Sequence, residues 1–264
     1  MSAEQIVTEK FDGLATDYDK YRPRYPRVLV EQLASSLPSG ERLNIVDLGA
    51  GTGIALEQLM EVMGPEHNYY AVDVSSDMLS KGREKFPNVE WRLGKAEAAL
   101  CDLPKMDLVL AAQSFQWMDR PNLLAVLRER LNPNGVFGVM QNNRDFERSA
   151  FLNDYETLLE AMSPGYSRHY RSFDFHQEIA TGFSVPREEV AKLNKGWVMT
   201  VPSGAFIGMS RSSTQAQRAI AAHRQAAHGQ AFIDKLTELL SEYEYDGQID
   251  IAYQTELFYH RQIL

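Results

Sequence analysis

One cysteine, Cys101, in 264 residues leaves no partner for an internal disulfide and no thiol cluster for a structural metal. Long hydrophobic runs are also missing: no apolar stretch reaches the roughly 18 residues that suggest a membrane span. Met1–Lys10 has no apolar core of the kind a secretory leader carries, so the expected setting is the cytoplasm, with no membrane partner. Basic excess is absent too. Asp and Glu number 36 against 27 Lys and Arg, a formal net charge of -9, which argues against a nucleic-acid partner. The cluster Arg22, Arg24 and Arg27 is too small to reverse that sign. There is no internal repeat and no low-complexity linker. His223 and His228 are five residues apart on an expected helix and do not share a face, and His67 and His260 have no supporting context, so no metal is expected.

The most informative stretch is Asn44-Ile-Val-Asp47-Leu-Gly49-Ala50-Gly51-Thr52-Gly53. An apolar β-run ends in an acid and then in a G-x-G-x-G turn. About twenty residues later a second apolar run, Tyr69-Tyr70-Ala71-Val72, ends in Asp73. In an α/β sheet such turns let the backbone approach a nucleoside cofactor, and the second acid accepts from ribose hydroxyls. A dinucleotide fingerprint would place its third glycine at position 54, which is Ile54; here it comes one residue early, at Gly53. Asp47 is also awkward beside a pyrophosphate, since both are anionic. It suits a cofactor whose near end carries an ammonium and a sulfonium, which favours S-adenosyl-L-methionine over NAD.

Hydrophobic content of 44% and charged content of 24% are ordinary for a soluble globular chain, and the length fits one α/β domain of about 150–200 residues plus a cap. Phe11, Leu14, Ala15 and Tyr18 have helical spacing and predict a short N-terminal helix, with Pro23 and Pro26 breaking the chain after it. A second helix is expected from Pro26 to Leu37. Strands are expected at 43–48, 69–74, 89–93, 107–112 and 135–141, and helices at 53–63, 76–84 and 121–131. That alternation predicts a doubly wound, mostly parallel sheet with helices on both faces. Asn132-Pro-Asn-Gly135 reads as a turn. Beyond 141, a helix is expected at 148–162, a returning strand near 189–201 and one long Ala-rich helix over 214–243. Ile249, Ile251, Tyr253, Thr255, Leu257 and Tyr259 share one parity, which predicts an antiparallel edge strand.

On these motifs the chain resembles the class I S-adenosylmethionine-dependent methyltransferases, and within them the small-molecule subgroup that includes trans-aconitate methyltransferase. The resemblance covers roughly residues 11–145 and, more loosely, 254–261. It implies an α/β, Rossmann-like fold: a seven-stranded, mostly parallel sheet with an antiparallel last strand and a mainly helical cap inserted after strand 5. Residues 1–147 would form a gate helix and the cofactor-binding core, 148–245 the cap, and 246–264 the strand completing the sheet. Tyr18-Asp19-x-x-Arg22-Pro23 looks like the family's opening segment, which implies that Tyr18 and Arg22 meet the cofactor's carboxylate. Asp47, Gly49, Ala50, Gly51, Thr52 and Gly53 match the cofactor loop; Asp73 would take the ribose diol, and Val74 or Met78 would lie against adenine. Gly94-Lys95-Ala96-Glu97 stands where relatives often read Asp-Ala-Glu, so Ala96 and Glu97 join the implied set. Lys95 replaces the usual acceptor, and an ammonium accepts no hydrogen bond. Gln113-Ser-Phe-Gln116-Trp117 matches the end of the fourth strand, where many relatives read His-Trp.

The implied chemistry is in-line methyl transfer to a small-molecule acceptor, by a monomer or homodimer. Alignment and exclusion of water carry most of it, since the sulfonium is already activated. Tyr18, Phe115 or Trp117 would face the sulfonium. Gln116, Trp117, Tyr166, Tyr170 and Trp197 are candidate acceptor-lining residues, while Tyr166, Tyr170, Phe173, Phe175, Trp197 and Phe206 are expected to build the cap. His169 and His176 are the candidate bases; each also admits a plain packing role. Three alternatives stay open: a fold relative that binds the cofactor without methyl transfer, as a cyclase or regulatory module; an NAD-dependent oxidoreductase; and a methyltransferase acting on a macromolecule, where the acidic balance disfavours RNA or DNA but not a protein.

Overall fold

The computed structural model describes residues 19, 22–38, 42–169, 172–222 and 230–263. The predicted helix at 11–18, Tyr18, Tyr170, His223 and His228 lie outside them.

Five parallel strands form the core of the sheet: β1 (Asn44–Leu48), β2 (Asn68–Asp73), β3 (Glu90–Leu93), β4 (Met106–Ala112) and β5 (Leu131–Arg144). Two further strands, β6 (Val190–Pro202) and β7 (Gln248–Arg261), complete a seven-stranded sheet of order β3-β2-β1-β4-β5-β7-β6. β7 runs antiparallel to both neighbours. The last strand is therefore antiparallel, as expected, but it is not the edge. It lies inside the sheet, because β6 returns along its free side and takes the edge position. The Asn132–Gly135 turn falls inside the span of β5: Met106 pairs with Leu131 and Leu108 with Val136, so the turn bows out of the ladder, with Asn134 at φ 65.

The strands are apolar on both faces because helices cover both. One face is packed by α1 (Arg27–Ser35), α2 (Ile54–Met63) and α3 (Ser76–Lys85), through Leu29, Leu33, Leu56, Leu59 and Leu79 onto Ile45, Ala71, Leu108 and Leu110. The other is packed by α4 (Ala96–Cys101), α5 (Arg120–Arg130) and α7 (Phe175–Phe183), onto Val46, Leu48, Val109 and Phe137. α6 (Ala150–Met162) lies between β5 and α7 in sequence but packs elsewhere, as described below. Phe173 and Phe175 belong to this second sheet-face cluster and not to the cap.

β6 and β7 are long, 13 and 14 residues, against five and six for β1 and β2, and their outer halves carry a third apolar cluster. There Ile249, Ile251 and Tyr253 of β7 meet α6, α8 (Ser203–Arg211), α9 (Thr214–Ala222) and α10 (Ala231–Tyr243). The predicted continuous helix over 214–243 is instead two helices that pack against each other and against α6, which one straight helix cannot do. Ala216 and Ala219 share one buried cluster with Phe232, Leu236 and Leu240, and burying both faces together requires the chain to fold back. No helix among the described residues is long and apolar enough to cross a membrane.

Candidate active site

A parallel sheet collects its ligands at the carboxyl ends of its strands, where helix N-termini and loops converge. Here that edge opens into a cavity with two lobes that share Gly49, Ala112 and Gln113. The smaller lobe, about 120 Å³, is lined by Gly51, Val72, Asp73, Val74, Met78, Gly94, Ala96, Ser114, Trp117 and Met118 among others. The larger, about 240 Å³, runs under the cap past Asp47, Ile54 and Asn142 to Arg144, Glu156, Tyr166 and Tyr253.

The glycine turn connects β1 to α2. Gly49, Gly51 and Gly53 all have positive φ, at 65, 56 and 85 degrees. At Gly49 a Cβ would come within 2.4 Å of the Ser114 Cβ, so both conformation and space exclude a side chain there. Ser114 Oγ donates to Leu48 O at 2.5 Å and holds the two loops together. Across the turn, Asp73 accepts from Gly51 N at 2.8 Å and from Ser75 N at 2.9 Å. Burial still raises its pKa, with those amides acting in opposition. Ser75 Oγ in turn caps α3 by accepting from Met78 N.

Asp47 lies one turn deeper. It shares the parity of Ile45, so its carboxyl points to the α2 face of the sheet, and at 1% exposure it is out of water. The Leu56 amide, in the first turn of α2, acts on the carboxylate from the backbone, but neither oxygen is fully paired among the described residues. Burial first, and the neighbouring Asp73 charge second, push its pKa up to about 7. A buried acid in this state is an unmet demand for a cation or a donor.

Gln113 ends β4 with φ 58, an uncommon conformation for a residue with a side chain. Its amide nitrogen donates to Met140 O, and its Nε2 donates to Asn142 O. Asn142 Nδ2 reaches Arg24 O at 3.2 Å, and Asn142 Oδ1 accepts from Thr255 Oγ1 at 2.5 Å. These bonds tie the segment before α1 to the sheet's edge. Asp19 ties the same segment to the cofactor loop: its Oδ1 accepts from Thr52 Oγ1 at 2.8 Å and from Lys85 Nζ at 2.6 Å.

Of the residues singled out in the sequence, Arg22, Asp47, Gly49, Ala50, Gly51, Asp73, Val74, Met78, Ala96, Gln113, Trp117, Tyr166 and His169 line one lobe or both. Others fall outside. Thr52 is buried with its hydroxyl spent on Asp19, and Gly53 caps α2 beneath the turn. Glu97, in the first turn of α4, and Lys95 line neither lobe, although their neighbours Gly94 and Ala96 do. Gln116 donates to Gln113 O and accepts from Gln141, which makes it a support behind the wall. Trp197 stacks on Tyr253 at 4.9 Å and donates to Thr255, one layer out from the cavity. Phe115 is fully buried against Phe137 and Phe175 and faces no ligand space. His176 is corrected as a candidate base: its Nε2 bonds Val190 O at 2.7 Å and its Nδ1 accepts from Arg187, on the α7 side of the sheet.

Sequence reading missed Asn142, Arg144, Glu156, Ser114, Met118 and Tyr253 as cavity residues. Arg144 and Glu156 carried one faint signal, opposite charges at the end of a strand and inside the following helix, joined in the structure at 2.7 Å. Among the described residues, no group of three or more His, Cys, Asp or Glu is placed to hold a metal ion.

Comparison with known proteins adds the following. The family model described as a methyltransferase domain matches residues 45–135. The chain is 34% identical over 216 residues to an uncharacterised methyltransferase of Schizosaccharomyces pombe, covering 72% of this chain and 85% of that one. A second methyltransferase-like protein of the same yeast is 36% identical over 143 residues, and there the match spans 54% of this chain and only 55% of the relative. The trans-aconitate 2-methyltransferase of an Azoarcus species is 34% identical over 115 residues, 43% of this chain and 45% of the relative. Among solved structures, a putative type II methyltransferase from Anaeromyxobacter dehalogenans superposes with a TM-score of 0.67 at 23% identity, covering 92% of this chain and 99% of that one.

Proposed function

This chain belongs to the methyltransferase family, and from that premise we propose that it moves a methyl group from S-adenosylmethionine to a small-molecule acceptor under the cap. The observation that carries the cofactor is Asp47, a buried and under-paired carboxylate two residues before a turn of three positive-φ glycines. An ammonium meets that demand; a pyrophosphate would aggravate it.

In this reading the smaller lobe takes the adenosine, with Asp73 on the ribose diol and Val74, Met78 and Ala96 around the base. Asp47 takes the ammonium, and Arg22, with Tyr18, takes the carboxylate. Bound S-adenosylmethionine supplies an electrophilic methyl on a cationic sulfur. The remaining work falls to the protein. Gly49, Ala112 and Gln113, common to both lobes, set the line between donor and acceptor; the cap and the segment before α1 keep water out. For an acceptor that holds its proton at neutral pH, His169 is the candidate base, since it alone of the two faces the larger lobe. We expect a cytoplasmic enzyme acting as a monomer or homodimer.

Calorimetric titration of ligand-stripped protein with S-adenosylhomocysteine, NAD and NADP tests this. The expected result is binding of the homocysteine compound alone, weakened at least about tenfold in Asp73→Ala, where both charge-assisted ribose bonds go. Binding of NAD alone would overturn the cofactor assignment.

A further inference from the structure

The larger lobe holds arginines in very different states. Arg168 is saturated: its guanidinium bonds Glu160 through Nε and Nη2, Asn153 through Nη1 and Thr157 through Nη2. Arg22 donates to Ser212 O at 3.1 Å. Arg144 differs. Glu156 Oε1 accepts from its Nε at 2.7 Å, and its guanidinium carbon lies 5.1 Å from the Tyr155 ring centroid. Its Nη1 and Nη2 make no hydrogen bond among the described residues, and the residue lines the chamber.

Glu156 itself is fixed. It is 3% exposed, and its second oxygen accepts from Tyr166 OH. It therefore holds the guanidinium plane by one edge while leaving the outer fork open. Directly across the ladder from Arg144 is Tyr253, its register partner on β7. Tyr253 also lines the chamber, and its hydroxyl has no hydrogen-bond partner among the described residues. Burial pushes that hydroxyl up to about 12, so it remains a donor at any physiological pH. A planar fork of two N–H groups beside an O–H donor matches the geometry of a carboxylate. Phe146, Phe206 and Met209 supply an apolar wall for the rest of the molecule.

We propose that the cap end of the chamber is a carboxylate-binding subsite, formed by the Arg144 fork and the Tyr253 hydroxyl and positioned by Glu156, which anchors the methyl acceptor. It rests on the assignment of the other end to the cofactor. The carboxylate is the handle by which the acceptor is held; the atom that receives the methyl is a separate matter. Asp47 thus seeks a cation and the Arg144 fork an anion, so the chamber offers both signs along its length.

The test uses the full chain saturated with S-adenosylhomocysteine, so that the cofactor's own carboxylate site is filled. A panel of aliphatic and aromatic monocarboxylic and dicarboxylic acids, each paired with its primary amide, is screened by saturation-transfer NMR, and hits are titrated. Acids should bind about tenfold or more tightly than their amides, as expected when a charge-assisted pair is lost. Arg144→Gln should remove that preference and Tyr253→Phe should reduce it, with affinity for S-adenosylhomocysteine unchanged within about twofold. Because Arg144→Gln strands a buried Glu156, the double variant Arg144→Gln/Glu156→Gln provides a neutral pair of similar shape and should lose acid binding equally. Equal binding of acids and amides, acid binding that survives both Arg144 variants, or a loaded protein that binds no acid would each overturn the subsite. Wild-type protein that fails to bind S-adenosylhomocysteine would overturn the cofactor reading, and this inference with it.

Discussion

Asp47 shows a residue held against its own stability. In the unfolded chain its carboxyl titrates near 3.9; in the folded chain burial, then the Asp73 charge, push it up to about 7. The folded state thus binds the extra proton between those values. Stability of the ligand-free protein should fall as pH rises from about 4 to 7, by up to roughly 4 kcal/mol from this group alone. Asp47→Asn removes the penalty, so its calorimetric melting temperature should exceed wild type at pH 8 and converge on it near pH 4.5. A cationic ligand needs the ionised acid. Affinity for S-adenosylhomocysteine should therefore drop about fivefold from pH 7 to pH 6 in wild type and stay flat, and weaker, in Asp47→Asn. A pH-independent wild-type affinity would refute the assignment of Asp47 to the ammonium. This end of the cavity was legible in the chain because Asp47, the glycines and Asp73 lie at the ends of two short apolar runs, where local pattern fixes position. The opposite end was not. Arg144, Glu156 and Tyr253 come together through a strand register and a helix docking, and no spacing in the sequence announces either.

At the scale of elements, local signals read well where one helix or strand meets one surface, and poorly where neighbours decide. The parallel strands and their helices follow from apolar runs punctuated by glycine and proline. The parity of residues 249–259 is enough to make β7 a strand, yet whether it is edge or interior depends on where 190–202 pairs, across a gap in sequence from Pro202–Gln248 to Val190–His260. Ala-rich composition over 214–243 favours helix throughout but carries no information about the fold-back that packs α9 on α10. Gly229, a poor helix former between the two, was the available hint. The cap cluster also includes Ile249 and Ile251 of β7, so cap and sheet share side chains along one strand. Phe232, fully buried in that cluster, tests the coupling. Phe232→Ala should cost about 3–5 kcal/mol and shift a single urea transition to lower midpoint with its slope retained. Two separated transitions would show instead that the cap unfolds by itself.

For the molecule as a whole, the acidic surface and the cavity answer to different demands. A net charge of -9 argues against a polyanionic partner, while the described lining of the chamber beneath the cap presents three arginines. What encloses that chamber on the cofactor side is the segment leading into α1. Among the described residues it is held by Asp19 to Thr52 and Lys85, Arg22 to Ser212 O, Arg24 O to Asn142, Arg24 to Glu57 at 3.0 Å, and Tyr25 to Gln58, whose amide exchanges two hydrogen bonds with the Tyr25 backbone. Only the last pair is buried on both sides. The half-buried Arg24–Glu57 pair contributes on the order of 0–1 kcal/mol, and the described contacts of Asp19, Arg22 and Arg24 are part-buried where the Tyr25–Gln58 pair is buried. That gradient suits a gate, which must release product without unfolding the sheet. Removal of residues 1–24 leaves Tyr25 and the whole of α1 in place. The truncated protein should keep its far-ultraviolet circular dichroism and a cooperative melt, yet lose turnover, because Arg22 and the cover over the cofactor loop go together. Affinity for S-adenosylhomocysteine should fall at least about tenfold, the loss expected for a charge-assisted carboxylate contact. A truncated protein with full activity would mean that the chamber is closed by the cap alone and that the segment before α1 is packing. Loss of the melt would place those residues in the folding core.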